Sequence, residues 1–240
     1  MDNVKSAQDF LRESAWERGN VKPQVTERLP LELPALVTDK IIELPEPDLL
    51  DDRNINFLEM VELRASVRHY SDKPLALKEL SYLLWCTQGV KMANDKATLR
   101  TVPSAGATHS LETYILVNNV EKLEAGVYRF LPIEHALVKI KADKTVISNC
   151  FSTYQVVLGS AVTFIWSTVI KRVASRYASR GYRYAFLDAG HVCQNLYLAA
   201  QTISAGVCAL GSFDDKQINK ALDFLPKEQF VVYGAALGKV

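Results

Sequence analysis

The sequence predicts an α+β fold: a central, mostly antiparallel sheet flanked by helices, with an extended N-terminal arm. Three observations carry that expectation. Segments rich in β-branched and aromatic residues at 111–120, 126–140, 161–169 and 230–238 do not alternate regularly with helical patterns, which disfavours a doubly wound parallel sheet. One long apolar periodicity, through Val192, Leu196, Ala199, Ala200 and Ile203, marks a central buried helix. Five of the nine prolines (Pro23, Pro30, Pro34, Pro45, Pro47) fall in the first 50 residues, where they favour an extended chain after a short helix-capable start. The expected organisation is therefore an arm over 1–50 and one domain over 51–240.

Taken in order, Leu80, Leu83 and Leu84 give an amphipathic helix from Leu77 to a stop at Gly89. "LETYILVNNV" and "GVYRFLPIEHALVKI" read as strands of one sheet, with Asn118-Asn119 and the Gly126 region as turns. "AVTFIWSTV" is a further strand. A polar run, "IKRVASRYASRGYRY", then leads into the long helix, expected to begin near Asp188 and to end by Gly206. Asp214 with Gln217 forms a capping-box pattern before a short helix, and "FVVYGAALG" closes the chain as a strand.

Composition narrows the function classes. The 240 residues, 48% hydrophobic, can bury a sizeable core. A formal charge of +1 leaves no global field for nucleic acid or an anionic membrane, so an anion site has to be local. The apolar runs are shorter or more polar than the roughly 20 residues of a spanning helix, and the N-terminus lacks a signal-peptide core. Cys86, Cys150, Cys193 and Cys208 are too widely spaced for a zinc site or disulfide framework, so reduced thiols and a cytoplasmic location are expected, with no metal. Dinucleotide, NTPase and nucleophile-elbow glycine motifs are missing.

Three stretches remain as candidate sites. "RASVRHYSDKP" places Arg64, Ser66 and Arg68 on alternate residues; on an extended chain they share one side and present a fork of donors suited to phosphate, although a solvated basic loop has the same appearance. "RTVPSAGATHSLETY" puts Pro103, Ser104, Ala105 and Gly106 before a strand, small enough for backbone groups to approach a flat ligand. "SAGVCALGSFDD" is a Gly-punctuated run between two helical patterns, read locally as either a connection between helices or a close approach of backbone.

In this order the three stretches resemble the FMN-dependent nitroreductase superfamily. Together with "KIIELPEPDLL" and "SRGYRYAFLDAGHVCQNLYLAAQTISAGVCALGSF", they are similar to its SagB-type branch, which includes azoline dehydrogenases of peptide natural-product biosynthesis. The resemblance covers about 40–239. It implies that Arg64, Ser66 and Arg68 bind FMN, that Pro103, Ser104 and Ala105 lie along the isoalloxazine, and that Leu210, Gly211 and Ser212 supply backbone groups near flavin N5. It places Lys239 near the phosphate. It further implies a homodimer, NAD(P)H as transient electron donor and a small organic acceptor as substrate.

The chain departs from the azoline dehydrogenases at Arg176-Tyr177, where they carry a Lys-Tyr pair. Arginine stays protonated and cannot act as a general base. Tyr177, Arg176 and His109 are therefore candidates for a catalytic role without an assigned step, against readings as a surface helix turn and a structural histidine; His191 stands beside His109 in the same position. The alternatives to a reductase are a SagB-type dehydrogenase acting on a peptide or heterocycle, and a non-catalytic flavin-binding protein whose active face the arm blocks.

Overall fold

A computed structural model describes residues 2–15, 29–36, 38–47, 56–95 and 97–240. Pro23 and the expected boundary at residue 50 lie outside them. The chain runs α1 (Asp2–Glu13), β1 (Ile41–Glu43), α2 (Phe57–Leu63), α3 (Leu77–Gln88), β2 (Val90–Ala93), β3 (Thr98–Arg100) and a 3-10 turn at Ala105–Ala107. It continues through β4 (Leu111–Val117), β5 (Gly126–Leu131), β6 (Ala136–Lys139), α4 (Lys144–Asn149), α5 (Tyr154–Gly159) and β7 (Val162–Val169). The last elements are α6 (Ile170–Tyr177), α7 (Arg180–Gln201), β8 (Ala205–Leu210), α8 (Asp215–Ala221) and β9 (Gln229–Lys239).

Seven strands form one sheet in the order β1-β6-β5-β4-β7-β9-β8, and every adjacent pair in it is antiparallel. The α+β expectation holds, and Ile41–Glu43, within the first 50 residues, forms an edge strand of the sheet. Strand β4 is buried at all seven positions because both sheet faces are covered. Leu111, Ile115 and Val117 face the layer of α3 and α7, while Tyr114 and Leu116 face the layer of α4 and α8, the period of two sorting one strand between two cores. Strand β9 absorbs one extra residue opposite Trp166–Ser167, a bulge that re-aims its side chains.

Several elements differ from the sequence expectation. The stretch at 126–140 is a hairpin, β5 and β6, turning through His135 at φ 51°. The polar run after β7 is helix α6, and α7 begins at Arg180 rather than near Asp188. Its first turns expose Tyr182, Phe186 and Leu187, so the apolar stripe becomes visible only where the helix meets the sheet. Between them Ala178 takes φ 49°, ψ −137°, costly for a residue with a Cβ. Gly206 does not terminate α7. It lies inside β8, so the Gly-rich run is the far edge strand and not a connection between helices. Asp214 caps α8 as expected, accepting from Gln217 N at 2.9 Å, but the Gln217 amide returns to the Asp214 carboxylate rather than to the backbone.

Candidate functional site

The site is built around α7, which reaches all three candidate stretches. Segment 64–70 runs along the open side of β8: Ser66 and Val207 form a parallel bridge, and Val67 N donates to Val207 O at 2.8 Å. A Cβ on Gly206 would stand 2.6 Å from Val67 Cβ, so only glycine lets the segment lie this close. The extended backbone keeps Arg64, Ser66 and Arg68 at period two. Tyr197 of α7 fixes this arrangement, with Ser66 Oγ 3.1 Å from its Oη and the Arg64 guanidinium 5.5 Å from its ring centroid. The same Oη accepts from Ala209 N at 2.9 Å, tying the first stretch to the third. Arg68 donates to Ser66 O at 3.4 Å, and among the described residues neither Arg64 nor Arg68 pairs with a carboxylate.

On the other flank of the helix, about two and a half turns earlier, buried Asp188 holds the second stretch. Its carboxylate accepts from Ser104 Oγ at 2.6 Å and from Ala105 N at 3.2 Å, and Ser104 Oγ in turn accepts from His109 N at 3.0 Å. Burial raises the Asp188 carboxyl above its ordinary range, and these two donors partly offset that. The loop is backbone-strained at Ala107 and His109, with φ 52° and 41°, while Gly106 takes φ 58° without that cost. His109 is buried, and desolvation followed by the nearby Arg100 charge pushes its imidazole down to about 4. At neutral pH it is uncharged and sits in the wall of the site.

Arg176 and Tyr177 close over the same loop. Arg176 Nη1 donates to Gly106 O at 2.9 Å, and a Cβ on Gly106 would collide with Tyr177 Oη. Tyr177 packs edge-on against Tyr184, 4.9 Å between centroids. The third stretch is reached through Cys193 of α7, which is buried near Tyr233; the Tyr233 ring lies 3.7 Å from where a Gly211 Cβ would be. Leu210 is buried at the end of β8, and Ser212 O accepts from Ser152 N at 3.0 Å. Lys239 is already engaged: its ammonium donates to Glu79 Oε1 and Ile203 O at 2.5 and 2.6 Å. His191 is exposed on α7.

The arm is held beside this site. Leu33 N donates to Glu112 Oε1, Arg129 donates to Leu33 O and Pro34 O, and Arg100 donates to Leu31 O. Glu112 also stands 2.7 Å from Arg172 Nη2 and 3.8 Å from Arg129 Nη1; the first contact is ionic but misaligned, since Arg172 Nε and Nη2 find no directional hydrogen-bond partner. Arg172 Nη1 points to His109 O at 3.4 Å. The C-terminus of α1 is gripped by Ser179, Arg180 and Arg183. These described contacts reach the α6–α7 corner and the buried arginines, not residues 64–68 or 103–106.

Sequence reasoning missed Asp188 and Tyr197 as site residues. Both flank the apolar stripe of α7, and the one available signal was a polar or amphipathic side chain at the margin of an otherwise buried face.

A profile of the nitroreductase family matches residues 61–239. The chain belongs to the nitroreductase family. A relative from Methanocaldococcus jannaschii, the candidate nitroreductase MJ1384, is 35% identical over 179 residues, which is 74% of this chain and 89% of the relative. The microcin B17-processing protein McbC of Escherichia coli is 26% identical over 136 residues, 52% of this chain and 48% of McbC, which supports the SagB-like branch. Among solved structures, a candidate nitroreductase from Ralstonia eutropha superposes with a TM-score of 0.69 at 24% identity, over 92% of this chain and 98% of that one. Another, from Desulfovibrio desulfuricans in complex with FMN, gives 0.53 at 16% identity, over 75% and 84%. As a nitroreductase-family protein this chain is placed among oxidoreductases. No helix among its described residues is long and apolar enough to cross a membrane.

Proposed function

We propose that this nitroreductase-family protein is a cytoplasmic FMN-dependent oxidoreductase, working by ping-pong hydride transfer from NAD(P)H to a small organic acceptor. The observation that carries the reading is the donor set at 64–68: two guanidinium groups and a hydroxyl, accessible, held on one side of an extended segment and uncommitted to any described carboxylate. That chemistry fits a dianionic phosphate. When bound, FMN would supply the hydride chemistry at N5. Arg64, Ser66 and Arg68 would hold its phosphate and polar edge. Pro103, Ser104 and Ala105, locked by Asp188, would lie along the isoalloxazine, and backbone groups of Leu210, Gly211 and Ser212 would face N5. Lys239 would join the phosphate site only by releasing Glu79 and Ile203 O.

A homodimer is part of this reading. Phe57, Leu58, Val61 and Leu63 of α2 are 45–66% exposed, beside a largely apolar cavity of about 350 Å³ lined by Met60, Tyr82, Trp85 and Leu198. A second copy would cover that surface. Residues 1–50 would then serve as the arm and 51–240 as the flavin domain.

The similarity to McbC favours a second reading, a dehydrogenase acting on a peptide or heterocycle. Arg176 weighs against it, because a guanidinium cannot take the ring proton.

An absorption spectrum of the purified protein, followed by anaerobic NADH or NADPH, tests the reading. Flavin absorption that bleaches on addition is expected. Flavin that stays oxidised would favour the second reading or a flavoprotein without turnover, and a protein unable to take up FMN would end the proposal.

A further inference from the structure

Between Ile170 and Leu187 the chain carries five cations, Lys171, Arg172, Arg176, Arg180 and Arg183, and no acid. Four of them are engaged. Lys171 faces Glu228 at 3.4 Å and Arg172 faces Glu112. Arg180 and Arg183 also meet no described carboxylate, but each is half-buried and makes two hydrogen bonds, to Ser14 O and Tyr184 Oη and to Ser14 Oγ and Leu11 O. Arg176 differs in being exposed: among the described residues its one hydrogen bond goes to a neutral carbonyl, Gly106 O, its guanidinium lies 5.5 Å from the Tyr177 ring centroid, and no described carboxylate pairs with it. Its charge is thus left unneutralised at the rim of the loop 103–106, held there by a glycine that admits both the guanidinium and Tyr177 Oη. Beside it the Tyr177 and Tyr184 rings form an aromatic wall.

A guanidinium bonded to a neutral carbonyl gains by exchanging it for a carboxylate, since a charge-assisted pair is about twice as strong and can be bidentate. We propose that Arg176 makes the site selective for acceptors that carry a carboxylate on a small aromatic ring, the guanidinium turning from Gly106 O to the carboxylate while the ring packs against Tyr177. This rests on the flavin reading of the loop. It assigns Arg176 to substrate selection rather than proton transfer, which suits a group that stays protonated.

4-Nitrobenzoate and its neutral isostere 4-nitrobenzamide are suitable probes. The first step of turnover balances as ArNO2 + NAD(P)H + H+ giving ArNO + NAD(P)+ + H2O. To keep the anionic dinucleotide from competing for Arg176, the FMN-loaded protein is photoreduced anaerobically, and its reoxidation is followed against each acceptor. The readout is the ratio of second-order rate constants, benzoate over benzamide, in wild type and variants. Arg176→Gln is expected to lower that ratio about tenfold or more, with Arg176→Lys in between. The wild-type ratio should also fall as ionic strength rises, because the site is exposed. That second measurement needs no variant and so stands if Arg176→Gln does not fold. A ratio unchanged by both the substitution and salt overturns the proposal while leaving the flavin assignment intact. A wild-type protein that holds no FMN, seen first in its spectrum, overturns both. If selectivity instead shows only in the NADPH-driven reduction and not in reoxidation, the anion recognised is the donor's phosphate and the acceptor proposal fails.

Discussion

Two sets of arginines in this protein are similar in sequence and opposite in structure. Arg100, Arg129 and Arg172 are buried, and their donors are directed to Gln88, the Leu31, Leu33 and Pro34 carbonyls, His109 O and the Glu112 carboxylate. Arg64, Arg68 and Arg176 lie at the surface or partly covered, and their described partners are an aromatic ring and neutral carbonyls. The first set holds the arm and the α6 helix to the sheet. The second has no carboxylate partner among the described residues, and on the proposed reading its charge would meet a bound ligand. What separates the two sets is not residue type or spacing but whether charged partners already exist inside the fold.

The largest expected effect comes from breaking the buried set. Glu112→Ala would leave buried Arg129 and Arg172 without their carboxylate and would free the Leu33 amide, so urea unfolding should show a loss of about 3–5 kcal/mol. A loss under about 1 kcal/mol would mean the cluster contributes little and the contrast is drawn in the wrong place.

A smaller effect lies at the wall between the two sets, in His109. Its imidazole titrates near 4 in the fold against an ordinary 6.5. The unfolded chain therefore binds a proton between those values that the native chain does not, so stability is full above about pH 6.5 and is lost as pH falls toward 4. The full span corresponds to at most about 3 kcal/mol. Unfolding curves between pH 7 and 4 should be steeper in pH for wild type than for His109→Gln; His135, also lowered by burial, adds a residual slope of the same sign in both. Equal slopes would show that His109 is not held neutral by the fold.

The smallest stability effect belongs to the exposed set. Arg64→Ala removes a cation–π contact with Tyr197 and little else, a change of about 1 kcal/mol or less.

How much of this was legible beforehand follows the same division. Strands β4, β7 and β9 were readable because burial fills them with β-branched and aromatic residues, and helix α3 because burial of one face imposes a helical period. Helix α6 and the start of α7 were not, since their turns carry five cations and a glycine that reads as a breaker, and strand β8 was hidden because Gly206, which lets Val67 approach, reads as a helix terminator. At the site, the alternate spacing of Arg64, Ser66 and Arg68 was visible. The Arg176-Tyr177 closure over Gly106 was not, because nothing local to either stretch announces a contact seventy residues away. Asp188 and Tyr197 were missed for the same reason: their partners are supplied by the fold.

The most direct test of the contrast is the FMN dissociation constant of wild type and Arg64→Ala by flavin-fluorescence titration, with the urea midpoint of each FMN-free protein measured alongside. The account predicts FMN affinity weakened about tenfold or more with nearly unchanged stability. Equal FMN affinity in the two proteins, or a fall in stability large enough to explain the loss, would contradict it.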